Sequence, residues 1–208
     1  MSDAPISVLI VDDHFVARAG LRAIIEGERD MTLLAEASSF TEALAMHRRY
    51  EPDVTLMDVS LPDGDGIDAI AAILSRDEEA AFVVLTSVGG DEPIRRALAL
   101  GVQGYLFKDM VRTQLTAAIR AVRQGHRYLP LEVSELIVDY GRAPVLSDRE
   151  KAVLNQVAKG QSNKVIAREL GITENTVKAH LQAIFTKIDA NDRAHAVVIA
   201  MKRGLLSI

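Results

Sequence analysis

Asp58 stands where the short apolar run Val54-Thr55-Leu56-Met57 ends and the segment Ser60-Leu61-Pro62-Asp63-Gly64-Asp65-Gly66 begins. An apolar run of that length, bounded by Pro52 and a Pro/Gly/Asp loop, reads as a strand buried on both faces. In open parallel sheets, ligand chemistry gathers at the carboxyl ends of strands. An isolated Asp in that place is first of all a turn cap, so the other strand ends decide its meaning. Asp12-Asp13 close the run Ile6 to Val11, Thr86-Ser87 close Phe82 to Leu85, and Lys108 closes Gly104 to Phe107. Right-handed crossovers bring these ends to one edge. Three carboxylates repel one another unless a cation sits among them. Oxygen donors without His or Cys suit Mg²⁺. Lys108 and Thr86 then offer a charge and a hydrogen bond to a phosphoryl group carried on Asp58.

The elements that must position these groups follow from periodicity. Strands are expected at Ile6–Val11, Thr32–Glu36, Val54–Met57, Phe82–Leu85 and Gly104–Phe107. Helices are expected at His14–Glu26, Phe40–Arg49, Ile67–Ser75, Glu92–Leu100 and Arg112–Arg123, the last two stopped by Gly101 and Gly125. In the first helix, Val16, Ala19, Leu21, Ile24 and Ile25 are read as the core face. Five strands interleaved with five helices predict an α/β, doubly wound, five-stranded parallel sheet.

These pieces resemble the receiver domain of two-component response regulators. The resemblance rests on Val11-Asp12-Asp13-His14, the run Met57 to Gly66, Leu85-Thr86-Ser87 and Gly104-Tyr105-Leu106-Phe107-Lys108. It implies a flavodoxin-like fold with Asp58 as phosphoacceptor. It further implies Mg²⁺ held by Asp13, Asp58 and the main-chain carbonyl of Ser60, with Asp12 helping through water. Thr86 and Lys108 would take the phosphoryl oxygens, and Tyr105 would turn inward on activation. Thr86 and Tyr105 are thus the expected switch pair, with Gly89-Gly90 giving the loop between them freedom to rearrange. Two departures from the family are visible: Leu61 stands where Met is common, and Asp109 where Pro is common.

Past Gly125 the periodicity loosens, then becomes wholly helical. A linker with one short helix is expected over 125–143, between a domain at 1–124 and a second at 144–208. The second part carries ten Lys/Arg against six Asp/Glu from Val145 onward, whereas the first 144 residues carry 14 against 23. A net charge of −5 therefore hides a basic unit that could face an anionic polymer. Ser147-Asp148-Arg149-Glu150 is a capping box, Ser162 can cap a second helix closed by Gly171, and Thr173 a third, to about Ile188. A fourth helix is expected from about Asp192 to Arg203. The turn Gly171-Ile172-Thr173 makes a helix-turn-helix whose second member normally enters the major groove. With Val177, Leu181, Ile184 and Phe185 inward, that helix leaves Glu174, Asn175, Lys178, Ala179 and Gln182 outward. Lys178 can reach phosphate or guanine, and Asn175 or Gln182 a base edge. Lys164, Lys187 and Arg193 are candidates for backbone phosphates. An ordinary four-helix packing unit with solvated lysines would show the same helix pattern.

Leu146 to Glu150, Ser162-Asn163-Lys164-Val165-Ile166-Ala167 and Thr176-Val177-Lys178-Ala179-His180-Leu181 resemble the LuxR-type DNA-binding domain, with Val165 where Glu is common. Thr173 and Thr176 join the DNA-facing set on this resemblance. The two resemblances together imply a NarL/FixJ-type response regulator. Its expected partners are a sensor histidine kinase and double-stranded promoter DNA, and a homodimer is expected when it is phosphorylated or on DNA. No enzymatic activity is expected: the Asp spacing of haloacid-dehalogenase phosphatases is absent after the first strand, and no GxGxxG or GxxxxGK[ST] opens a helix. A receiver-type regulator controlled by protein contact without phosphorylation remains the alternative. The chain has no cysteine, no long apolar run and no basic-flanked apolar leader, so a cytoplasmic protein away from membranes is expected.

Overall fold

The computed structural model describes residues 4–87, 90–140 and 144–206. Gly89, expected to loosen the loop after Thr86, lies outside them. The chain forms two compact units, one of residues 1–87 with 93–135 and one of residues 88–92 with 136–208. None of the helices among the described residues is long and apolar enough to cross a membrane.

The first unit is built on β1 (Ile6–Val11), β2 (Met31–Ala37), β3 (Val54–Asp58), β6 (Phe82–Thr86) and β7 (Gly104–Phe107), all parallel, in the order β2-β1-β3-β6-β7. Every residue of β3 and β6 is buried, as strands covered by helices on both faces require. Helices α1 (Phe15–Glu26), α2 (Phe40–Tyr50), α3 (Gly66–Leu74), α4 (Asp91–Ala99) and α5 (Val111–Arg123) complete the doubly wound fold. Gly101 and Gly125 turn the chain after α4 and α5 at φ +86° and +76°. The chain then continues the sheet edge: Tyr128 bridges Gly104 in parallel, donating from its amide to the Gln103 carbonyl at 2.8 Å and accepting from the Tyr105 amide at 3.1 Å.

Two features depart from the expected reading. Val16 is 81% exposed and Ala19 is exposed, while Leu21 and Ile25 are buried. At about 100° per residue, Val16 and Ala19 lie roughly 140–160° around α1 from Leu21, so one narrow stripe meets the sheet and they do not belong to it. The loop after Asp58 is also more ordered than expected. Ser60–Leu61 (β4) and Gly64–Asp65 (β5) form an antiparallel hairpin. Its turn residue Asp63 accepts from the amides of Phe40 and Thr41 at 2.6 and 3.1 Å and from the Thr41 hydroxyl at 2.8 Å. Gly66 closes the hairpin by donating to the Val59 carbonyl at 2.8 Å. A Cβ there would lie 1.8 Å from the Asp58 carbonyl oxygen, so only glycine lets α3 start so close to β3.

Helix α6 (Leu131–Tyr140) leads into the second unit, which contains α7 (Asp148–Ala158), α8 (Asn163–Leu170), α9 (Glu174–Ile188) and α10 (Arg193–Lys202). Ser147 and Glu150 form the expected capping box, and Thr173 and Asp192 cap α9 and α10 through the amides of Thr176 and His195. Ser162 occupies the N-cap of α8, but its side chain makes no capping bond. Gly171, at φ +64°, ends α8 in the left-handed conformation that the tight turn into α9 needs. Val153, Leu154, Ile166, Val177, Ile184, Ala196 and Ala200 form the centre of this unit's core.

Candidate functional site

Strand order reverses between β1 and β3, and the crevice outside their carboxyl ends is where an open α/β sheet presents chemistry. Register sets which groups meet there. Val11 pairs with Met57, so Asp12 and Asp58 emerge side by side; Leu85 pairs with Asp58 and Phe107 with Thr86, so Thr86 and Lys108 follow one place along. The Lys108 amide donates to the Thr86 carbonyl at 2.8 Å, which keeps that neighbourhood fixed.

The Lys108 ammonium donates to Asp58 Oδ2 at 2.7 Å and lies 2.7 Å from Asp12 Oδ2 as an ion pair. Asp12 is wholly buried and Asp58 nearly so. Burial raises the pKa of Asp58, the Asp12 charge adds to that, and Lys108 only partly offsets them. Burial also works against the Lys108 charge, but the bonds to Asp12 and Asp58 outweigh it and hold its pKa above the ordinary value. The Ser60 amide, 3.4 Å from Asp58 Oδ1, keeps the hairpin beside the carboxylate.

Ligand atoms of Asp12, Asp13, His14 and Asp58 all lie within 4.8 Å of one another. Three hard oxygen donors in that space fit a divalent cation such as Mg²⁺, because one lysine cannot neutralise three carboxylates. His14 was not among the expected site residues. It is one of the types that ligate metals, and its place directly after Asp12-Asp13 was the only sequence signal.

Thr86 is buried at the end of β6, and Tyr105 lies wholly inside, its ring edge-on to Phe107 at 6.3 Å. The aromatic expected to turn inward is therefore already inward here. Burial pushes its phenol pKa strongly up, with the Thr86 hydroxyl acting the other way.

On α9, Glu174, Asn175, Lys178, Ala179 and Gln182 are exposed, Thr176 is partly so, and Val177, Leu181 and Ile184 are buried. Lys164 of α8 and Thr173 are also exposed. The expected polar face therefore exists as one surface. Two of the cations have structural partners. Lys187 donates to Glu150 Oε2 at 2.7 Å and to the Val145 carbonyl at 3.3 Å. Burial opposes the Glu150 charge, but bonds from Lys187 and Ser147 overcome it and keep that carboxyl below its ordinary pKa. Arg193 donates to Asn163 Oδ1 at 3.2 Å and to the Gln161 carbonyl, and so holds the entry to α8.

Residues 8–120 match the family model described as the response regulator receiver domain, and residues 144–200 match that of bacterial regulatory proteins of the luxR family. The transcriptional regulatory protein YdfI of Bacillus subtilis (strain 168) is 35% identical over 209 residues, covering 97% of this chain and 98% of its own. The oxygen regulatory protein NreC of Staphylococcus aureus (strain JH9) is 33% identical over 213 residues, covering 96% and 98%. Among solved structures, the response regulator ChrA of a heme-sensing two-component system is 34% identical, with coverage of 97% and 99% and a TM-score of 0.58.

Proposed function

Because the chain belongs to the two-component response regulators that join a receiver domain to a LuxR-type DNA-binding domain, we propose that phosphoryl transfer to Asp58 controls promoter binding by α9. The observation that carries the reading is the buried Asp58 carboxylate at the end of β3, 2.7 Å from the Lys108 ammonium and beside Asp12. A carboxylate oxygen of Asp58 attacks the phosphorus of a phosphohistidine on a sensor kinase. A P–O bond forms, the P–N bond breaks, and the imidazole nitrogen leaves with the electron pair and takes up a proton. Lys108 meets the charge arriving on the phosphoryl oxygens, and the Thr86 hydroxyl donates to one of them. Asp13, Asp58 and the Ser60 main-chain carbonyl, with Asp12 helping through water, would hold Mg²⁺, which would supply the charge compensation that one lysine lacks. Two copies of the phosphorylated chain then occupy paired half-sites of promoter DNA, since one helix-turn-helix of this size buries little DNA.

The test is the intact mass after incubation with acetyl phosphate. One added phosphoryl group is expected with Mg²⁺, and none after EDTA treatment or in Asp58→Ala. Labelling that survives both treatments would reject Asp58 as the acceptor.

A second expectation concerns coupling. Thr86 adjoins both Lys108 and the buried Tyr105, so the phosphoryl group reaches the sheet interior through it. Thr86→Ala should leave acetyl phosphate labelling nearly intact while reducing the gain in DNA affinity on phosphorylation. Full labelling with an unchanged DNA response would remove Thr86 from the switch.

A further inference from the structure

We propose that His14 supplies a nitrogen ligand to the cation held by Asp12, Asp13 and Asp58, which shifts the site's preference from Mg²⁺ toward ions that favour nitrogen, Co²⁺ more than Mn²⁺. The inference rests on the cation-dependent receiver chemistry argued above and adds a specificity residue to it.

The position of His14 is explained neither by packing nor by helix capping. Its side chain is 70% exposed, so no core holds it. It occupies the N-cap of α1, where Ser, Thr, Asp or Asn would accept an amide bond, yet the imidazole makes none. Its backbone amide donates to Asp12 Oδ1 at 2.8 Å, which ties the residue to the acidic pair. The ring turns toward that pair. His14 Nδ1 lies 2.5 Å from Asp13 Oδ1 and 3.6 Å from Asp12 Oδ1, within the 4.8 Å group that includes Asp58. The nitrogen is thus already beside the oxygens of a cation site. A cation entering there would exchange the Nδ1–H···Asp13 contact for one bond from each residue, the ring then carrying its proton on Nε2 and leaving the Nδ1 lone pair to the ion.

Donor chemistry then sets selectivity. Mg²⁺ prefers oxygen and gains little from an imidazole. Affinity of a site containing nitrogen rises from Mn²⁺ to Co²⁺ along the divalent series. His14 should therefore matter in proportion to how strongly the ion favours nitrogen. A histidine that only orients Asp13 would instead affect every ion alike.

The experiment is calorimetric titration of the full-length protein, unphosphorylated, with MgCl₂, MnCl₂ and CoCl₂. Wild type, His14→Ala and His14→Asn are compared, with Asp13→Asn defining what binds elsewhere, including at the chain's four other histidines. Expected for His14→Ala is a Mg²⁺ affinity within about twofold of wild type and a Co²⁺ affinity lower by about tenfold or more, with Mn²⁺ between. His14→Asn, which restores an oxygen donor, should keep Mg²⁺ affinity and still lose Co²⁺ affinity. Equal losses for the three ions, or none, would overturn the assignment. Loss of Mg²⁺ binding in Asp13→Asn, whatever His14 does, keeps this outcome separate from failure of the cation site itself.

Discussion

Lys108→Met should destabilise the receiver by about 3 kcal/mol at pH 8 without divalent cations, the range expected when a largely buried charge loses its partner. The side chain bonds Asp58 and pairs with Asp12, both almost wholly enclosed, and its own exposure is only 21%. Without it two carboxylates face each other in low dielectric. Burial already raises the Asp58 pKa above its unfolded value, and removing Lys108 raises it further. An acid whose folded pKa is raised contributes stability that is fully present below its unfolded pKa. That contribution is lost as pH rises through the folded value. The deficit of Lys108→Met should therefore be small near pH 4 and grow toward neutrality. The raised pKa of Lys108 itself plays no part in this window, because the lysine stays charged throughout it. Urea unfolding of both proteins at pH 4, 6 and 8, with and without MgCl₂, is the measurement. Added Mg²⁺ should restore more stability to the variant than to wild type. A deficit independent of pH would show that lost packing, and not charge, was responsible.

The second large effect is on DNA. Lys178→Ala and Gln182→Ala should each weaken binding to a target promoter by about 1–3 kcal/mol, roughly five- to 150-fold, if each makes a specific base contact. Both side chains stand on the exposed face of α9, opposite the buried Val177, Leu181 and Ile184. Loss of a base contact relaxes preference at one position. Loss of a phosphate contact weakens all sequences alike and lowers the salt slope by about one. Lys164→Ala should fall in the second class. Lys187→Ala should behave differently from all three, because its ammonium is bound to Glu150 and the Val145 carbonyl. Its main cost should appear as a lower melting temperature of the second unit. Titrations at several salt concentrations separate these cases. Unchanged affinity and preference in both Lys178→Ala and Gln182→Ala would shift attention to α8.

The first group of site residues was legible because each closes a short apolar run whose length and bounding turn residues mark a buried strand. Strand register then converts four sequence positions into neighbours without further information. The second group was legible only as a face. Helical spacing showed that Lys178 and Gln182 point away from Val177 and Leu181, but it carries nothing about what other cations touch. Lys187 pairs across 37 positions and Arg193 across 30, choices made by tertiary packing. The misplacement of Val16 and Ala19 has a related cause: apolar character marks residues that tolerate burial, while the phase of one helix on one sheet decides which are buried. The β4–β5 hairpin has no signature in the sequence because two-residue strands hold no periodicity. His14, after two aspartates, carries no periodic or capping signature, only a neighbourhood.

The bridge between Tyr128 and Gly104 bears on how this protein should be divided for laboratory use. A receiver fragment ended at residue 124 matches where helical periodicity stops, but it discards the segment lying along β7. The amide of Tyr105 would lose its acceptor and the carbonyl of Gln103 its donor, and the fragment would expose a strand edge able to recruit another chain. Aggregation of such a fragment would then be an artefact of where it was cut, easily mistaken for self-association of the receiver. Ending the fragment at Glu135, where the first compact unit ends, keeps that edge covered.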